Sequence, residues 1–290
     1  IYSISRMNLS RIISGTMNWG VWGVNHSKKD MCNLISESFD SGINSFDHAD
    51  IYGGYTTEKS FGDAFVDTGI KREDVFFISK CGIMYPSEKL PIKTKHYDYS
   101  EDHIIKSVNN SLEYLQTDYL DCLLLHRPSP LMDINIIANT VEGLINSGKI
   151  KSFGVSNFTA DQMDMFKGKV EILYNQINLS LTHLDHMYDG TLDYMQANDI
   201  LPMAYSPLGS YFKELDGKIK KVVDKLKNKY GCTDYQLLIS WLLKHPSKVY
   251  PVIGTTKSDR INKSVDSLKI EIELIDWFEL LEASVGKRVP

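Results

Sequence analysis

The chain has 290 residues, a formal net charge of −5, 42% hydrophobic and 24% charged residues. That length holds one large α/β domain or two medium ones. The acidic balance, with no basic stripe, argues against a nucleic-acid partner, and no apolar run reaches the roughly 18 residues of a membrane span. The opening IYSISRMNLSRII lacks the apolar core of a signal peptide, so a cytoplasmic location is expected. Cys32, Cys81, Cys122 and Cys232 lie far apart without a CxxC pair. They read as reduced thiols rather than a disulfide framework or a zinc site.

In chain order, short β-branched and apolar runs alternate with longer amphipathic ones. Strands are predicted at 11–16, 43–47, 75–80, 119–126, 150–156, 171–177, 200–206 and 248–254. Helices are predicted at 28–41, 58–67, 101–115, 134–147, 160–167, 188–198 and 217–245. The last should break near Gly231, with Thr233 capping its second half. Two more helices follow at 258–268, starting at Ser258, and at 272–285. The basic run KIKKVVDKLKNK, 218–229, reads as the solvated face of a surface helix. Eight strands, each followed by a helix, predict an α/β fold: a (β/α)8 TIM barrel forming one domain over residues 1–290. An open doubly wound sheet is the alternative, weakened because no GxGxxG follows the first strand.

In such a barrel, chemistry gathers where strands end at the C-terminal face. The stretch GINSFDHADIYGG, 42–54, ends its strand at Asp47 and places Tyr52 five residues on. Lys80 closes the third strand in FFISKCG, and His126 closes the fourth in DCLLLHRPSP. A phenol, with an ordinary pKa of about 10, is a poor acid at neutral pH, and a neighbouring ammonium lowers that value. Asp47 can hold the ammonium of Lys80, and a His can bind the same oxygen. The set predicts a proton donor for a developing alkoxide. Each residue alone has another reading. Asp47 is also a loop cap, Tyr52 a packed rim residue, Lys80 a Schiff-base or surface lysine, and His126 a core histidine. Their joint placement at neighbouring strand ends favours the site. His48 and Asp50 read as supporting groups. His183 and His186, in THLDH, have no matching ligand set and read as a loop, so no metal is expected.

These residues lie in motifs that resemble the aldo-keto reductase superfamily over nearly the whole chain. GINSFDHADIYGGYTTEKSFGDAF is similar to its first signature, FFISKCG to its lysine strand and DYLDCLLLHRP to its histidine strand. GKIKSFGVSNF, AYSPLG and VIGTTKSDRI resemble the signatures of the fifth, seventh and last cofactor segments. The GTMNWG opening and the WFELLEASVGKRVP ending resemble the bacterial oxidoreductases with short substrate loops.

The resemblance implies NADP(H)-dependent reduction of a small-molecule aldehyde or ketone. Tyr52 would be the proton donor, Lys80 and Asp47 its tuning pair, and His126 the residue orienting the carbonyl. Ser156, Asn157 and Gln176 would hold the nicotinamide carboxamide, with Asp47 nearby and Tyr205 under the ring. Ser206, Leu208 and Gly209 would follow the pyrophosphate, where small residues let backbone approach phosphate. Gly15, Thr16 and Met17, and the segment Gly254, Thr255, Thr256, Lys257, Arg260 and Ser264, complete the implied cofactor set. The Ser258 helix start between Lys257 and Arg260 suits an adenosine 2′-phosphate. Lys263 and Ser264 stand where many relatives carry Glu and Asn, which leaves the adenine contacts and exclusive use of NADPH open. The short segment after SPLG implies an open cofactor clasp. Trp19, Trp22, Tyr55, Tyr85 and Tyr211, with Tyr52 and His126, are expected to line the substrate pocket, and the insert 82–100 to cross the barrel mouth. A nucleotide-binding regulatory barrel without turnover and a Lys80 Schiff-base lyase are the alternatives. A monomer is the favoured state.

Overall fold

The computed structural model describes residues 9–213 and 217–289. Residues 1–8 of the opening stretch, residues 214–216 of the short segment after SPLG, and Pro290 lie outside the described residues.

Eight parallel strands close into a barrel: β1 (Ile13–Gly15), β2 (Ser45–Asp47), β3 (Phe76–Cys81), β4 (Cys122–Leu125), β5 (Phe153–Ser156), β6 (Tyr174–Asn178), β7 (Leu201–Tyr205) and β8 (Tyr250–Ile253). Ser14 is in register with Phe46 on one side and Ile253 on the other, which seals the ring and rules out the open sheet.

Helices cross outside the barrel between the strands. Several begin where the sequence supplies a capping oxygen. Ser27, Ser100 and Asp133 accept from first-turn backbone N–H groups, and Thr159 and Thr233 each form a reciprocal capping box with a Gln three residues on. The predicted break at Gly231 is present: helices span Lys218–Tyr230 and Asp234–Leu243. The helix expected at 188–198 instead divides into Asp185–Tyr188 and Thr191–Ala197, interrupted by left-handed Gly190. His186 therefore sits in a one-turn helix rather than a loop, paired with Asp189 at 2.9 Å. The final helix, Leu274–Val285, is locked on by two indoles. Trp241 and Trp277 stack at 4.8 Å, and each Nε1–H donates to the other's carbonyl.

Strand alternation builds two cores and the site together, because successive side chains point to opposite faces. Phe76 and Ile78 fill the barrel interior with Ile13, Cys122, Leu124, Tyr174, Met203 and Val252. Their odd-numbered or even-numbered neighbours, such as Phe46, Phe77, Leu123, Val155 and Ile177, pack under the helices. Continuing the inward series toward the strand ends changes its chemistry. After Phe76 and Ile78 comes Lys80; after Tyr174 comes Gln176; after Met203 comes Tyr205. The floor of the barrel is thus greasy and its mouth polar.

The insert folds back over that mouth as a two-stranded antiparallel ladder, Ile83–Met84 with His96–Tyr97. Gly82 makes the fold-back possible. Its φ is +105°, and a Cβ there would stand 2.0 Å from the ring of Tyr99. All four cysteines are free; Cys81 and Cys122 are buried and Cys32 and Cys232 half-buried. Among the described residues, no helix is long and apolar enough to cross a membrane, and no group of three His, Cys, Asp or Glu side chains could hold a metal.

Candidate active site

β2, β3 and β4 lie side by side, so Asp47, Lys80 and His126 converge at one end of the barrel. Lys80 is almost wholly buried, and its ammonium has three protons and three partners. Nζ donates to Asp47 Oδ2 at 2.8 Å, to the His48 carbonyl at 2.6 Å and to Tyr52 Oη at 3.0 Å. Asp47 in turn accepts from Gln176 Nε2 at 2.9 Å. Because Tyr52 Oη accepts from the ammonium, its own O–H is free to point into the cavity. The imidazole of His126 meets the Tyr52 ring edge-on, 6.0 Å between centroids, and its Nδ1 is buried without a partner.

Electrostatics fix the protonation states. Burial raises the pKa of Tyr52 above the ordinary phenol value; Lys80 pulls the other way without overcoming it. The expected net lowering by Lys80 is therefore reversed, and Tyr52 is held in its protonated form. Burial works against the Lys80 charge, but Asp47 and Tyr52 outweigh it and its pKa stands above the usual lysine value. An ammonium that is charged and fully hydrogen-bonded has no lone pair for a Schiff base. Burial, reinforced by Lys80, Arg127 and Lys95, holds His126 far below the usual imidazole pKa, so the ring is neutral.

His48 and Asp50 support the loop from behind. Thr16 gives its hydroxyl proton to the Asp47 carbonyl at 3.0 Å and lies 3.0 Å from His48 Nδ1. The Asp50 N–H donates to the Lys80 carbonyl at 3.0 Å, and its buried carboxyl has a pKa well above the usual range, from burial and then from nearby Glu58. Glu58 is buried and accepts from the hydroxyls of Ser79 and Ser111; burial pushes its pKa up to about 7. The folded state therefore holds a proton on Glu58 that the unfolded chain has released. Stability is expected to fall as pH rises from about 4.5 to about 7, and then to level off for this group. Glu58→Gln should remove up to one proton from the slope of unfolding free energy against pH, read by denaturant titrations across that window. An unchanged slope would refute the assignment.

A cavity of about 730 Å³ opens above the cluster. Its wall holds Tyr52, Asp47 and His126, the amides and hydroxyl of Ser156, Asn157 and Gln176, Tyr205, and the run Ser206–Gly209. Gly15, Met17, Trp22, Gly254, Thr255 and Arg260 also line it. Asn157 Nδ2 donates to Ser156 Oγ at 2.7 Å, and Tyr205 Oη donates to Asn157 Oδ1 at 2.9 Å. Gly209 has a φ of +54°, and a Cβ there would lie 2.0 Å from Thr182 Oγ1. Arg260 forms no ion pair among the described residues, although its charge acts on neighbouring Asp259. The helix Ser258–Asp266 has no side-chain cap, which leaves first-turn N–H groups for an anion. The wall thus offers amide-binding groups, an aromatic face and a cationic helix end along one cleft, a donor set that fits a phosphorylated dinucleotide.

Several expected lining residues stand elsewhere. Trp19 is fully buried, packed on Phe46 and Phe61, with Nε1 donating to the Thr255 carbonyl at 3.0 Å. Tyr85 packs on Trp22 at 5.0 Å and Tyr55 Oη accepts from the Tyr85 N–H, so both brace the rim from outside. Tyr211 is buried on Asp234. Thr16 is spent beneath Asp47. Ser264 is buried, bonded to Tyr235 Oη and the Arg260 carbonyl, and it is Tyr235 that reaches the wall. Thr256 and Lys257 do not line the cavity; Lys257 occupies the N-cap position of the helix with its side chain exposed. Sequence reasoning did not assign Asn18, Ile51, Ile83, Lys95, Tyr97, Arg127 or Tyr235 to this wall. Arg127 carries a signal in its place next to His126, and Ile83, Lys95 and Tyr97 in the insert expected to cross the mouth.

The family model described as "Aldo/keto reductase family" matches residues 11–282. The oxidoreductase YcsN of Bacillus subtilis is 38% identical, over 98% of this chain and 97% of its own. A 6-dehydroglucose reductase of Agrobacterium fabrum is 34% identical, over 98% and 97%. A solved aldo-keto reductase of Klebsiella pneumoniae in complex with NADPH superposes with a TM-score of 0.78 at 24% identity, covering 94% of this chain and 90% of that one.

Proposed function

The chain belongs to the aldo/keto reductase family, and we propose that it is an NADP(H)-dependent reductase turning an aldehyde or ketone into its alcohol, with Tyr52 as proton donor. The observation that carries this reading is the saturated ammonium of Lys80, which turns the one remaining Tyr52 proton toward the cavity.

Ser156, Asn157, Gln176 and Tyr205 would hold the nicotinamide end, and Ser206–Gly209 with Arg260 the phosphates. Reduced nicotinamide, when bound, supplies hydride to a carbonyl carbon. The carbonyl oxygen then needs a proton, and Tyr52 gives it. Lys80 stabilises the phenolate left behind by the hydrogen bond it already makes. Asp47 keeps the ammonium charged and aimed. Neutral His126 places a ring nitrogen beside the same oxygen without competing for its charge. Arg260 at the open helix end favours the 2′-phosphorylated cofactor. Among the described residues, no feature favours the alternative of a nucleotide-binding regulatory barrel without turnover.

The test follows NADPH absorbance with a panel of aliphatic, aromatic and sugar aldehydes. Loss of absorbance dependent on both aldehyde and protein is expected. No turnover across the panel would overturn the proposal.

A further inference from the structure

The cavity wall carries more positive charge than this reading of the site uses. Among the described residues its only carboxylate is Asp47, and that is committed to Lys80 and Gln176. Three cations among the described residues line it: Arg260 at the phosphate end, and Lys95 and Arg127 beside His126. Among the described residues, neither Lys95 nor Arg127 forms an ion pair. The Arg127 guanidinium rests near Tyr205, 5.9 Å from the ring centroid, with Nη2 3.4 Å from Oη.

This arrangement is built. Buried Tyr99 clamps the Arg127 backbone twice, donating to its carbonyl and accepting from its N–H at 3.2 Å. Tyr99 lies two residues beyond the ladder strand His96–Tyr97, and the ladder is closed by the Asp98 N–H on the Gly82 carbonyl at 2.9 Å. The same loop therefore carries Lys95 and Tyr97 to the mouth and fixes the segment bearing Arg127. Both cations also depress the basicity of His126, which places them within Coulomb reach of the carbonyl position. The remaining wall here is apolar: Trp22, Ile51, Ile83 and the Tyr52 ring.

Resting on the reductase reading above, we infer that the substrate is an aldehyde or ketone carrying an oxyanion, a carboxylate or sulfonate, on an apolar body, with the oxyanion held by Arg127 and Lys95. Arg suits the task, since its planar fork can pair with two oxygens at once. A neutral analogue would fill the same apolar wall and leave both cations unpaired. A charge-assisted hydrogen bond of the usual strength corresponds to a preference of about 10- to 100-fold.

The experiment compares kcat/KM with NADPH for 3- and 4-formylbenzoate, 4-formylbenzenesulfonate and methyl 4-formylbenzoate. The better anionic substrate should exceed the ester by about 10-fold or more, and the ratio should shrink on raising NaCl from low to high concentration. In Arg127→Met the ratio should fall to within about twofold of one. Arg127→Lys should keep part of it, which guards against a folding defect, and Lys95→Met should weaken it. The sulfonate and carboxylate arms tell which oxyanion the fork prefers. An ester as good as the anions, or a preference surviving in both Met variants, overturns the inference. If no aldehyde turns over, the reductase reading fails instead. Calorimetric titration of 4-(hydroxymethyl)benzoate then decides the anion site: binding lost in Arg127→Met supports it, and no binding to the unaltered protein refutes it.

Discussion

Tyr52→Phe should lower kcat for a good aldehyde by about 10²- to 10⁴-fold, the range expected for losing a placed general acid. KM should move far less, because the ring and its packing against Trp22 and His126 are kept. Only the oxygen is removed, and Lys80 loses one of three acceptors while keeping Asp47 and the His48 carbonyl. The thermal midpoint should therefore shift by only a few degrees. The pH profile gives a second reading. Burial raises the pKa of Tyr52 above 10, so the acid form persists, and carbonyl reduction by the unaltered protein should not decline from loss of this proton between pH 7 and 9. Steady-state rates with a fixed aldehyde measure both. A kcat within threefold of the unaltered protein would remove Tyr52 from the reaction.

Lys80→Met should be worse in a different way. It deletes the proton that steadies the phenolate, and it leaves Asp47 buried with Gln176 as its remaining side-chain donor. The ion pair is shielded, with side-chain exposures of 0% and 3%, and breaking a buried pair from one side costs about 3–5 kcal/mol. That corresponds to a fall in thermal midpoint of roughly 10 °C for a chain of this size. Adding Asp47→Leu should recover most of the stability, since removing both charges relieves the unpaired one, but none of the turnover. Calorimetry beside NADPH consumption separates the two effects. A single variant that melts like the parent would mean that Asp47 finds another partner, and the electrostatic account of Lys80 would be wrong.

The barrel was legible because its strands are short apolar runs and its helices begin at Ser, Asp and Thr caps. The polar residue ending each of several runs marks the mouth. Asp47, Lys80 and His126 could be placed from strand order alone, since neighbouring strand ends must meet. Trp19 could not. An aromatic in a strand-to-helix loop reads the same whether it faces a cleft or turns inward, and here the carbonyl of Thr255, 236 residues away, decides. Ser264 is alike: its helix is legible, but the partner that holds it, Tyr235, comes from another helix. For Lys95 the sequence predicts that its insert crosses the mouth, but not which of the insert's residues face the cleft. That insert is without periodicity, and the ladder from Ile83 to Tyr97 is what brings Lys95 back to the mouth. The net effect of Lys80 on Tyr52 depended on burial, which a sequence motif does not carry.

The alternation within the strands has a consequence for how this chain can vary. In β3, Lys80 sits between Ser79 and Cys81, both facing the other way. In β6, Gln176 sits between Asn175 and Ile177. Gaining or losing a single residue inside such a strand would exchange the two sets along the rest of its length. It would send an apolar side chain into the cleft and a charge under the helices in one event. The loops have no such frame, as the insert 82–100 illustrates by crossing the mouth without disturbing β3 or β4. Length changes should therefore be tolerated between the strands and be lethal to folding and chemistry together within them, so this scaffold can remodel what it recognises while the reacting groups stay in phase.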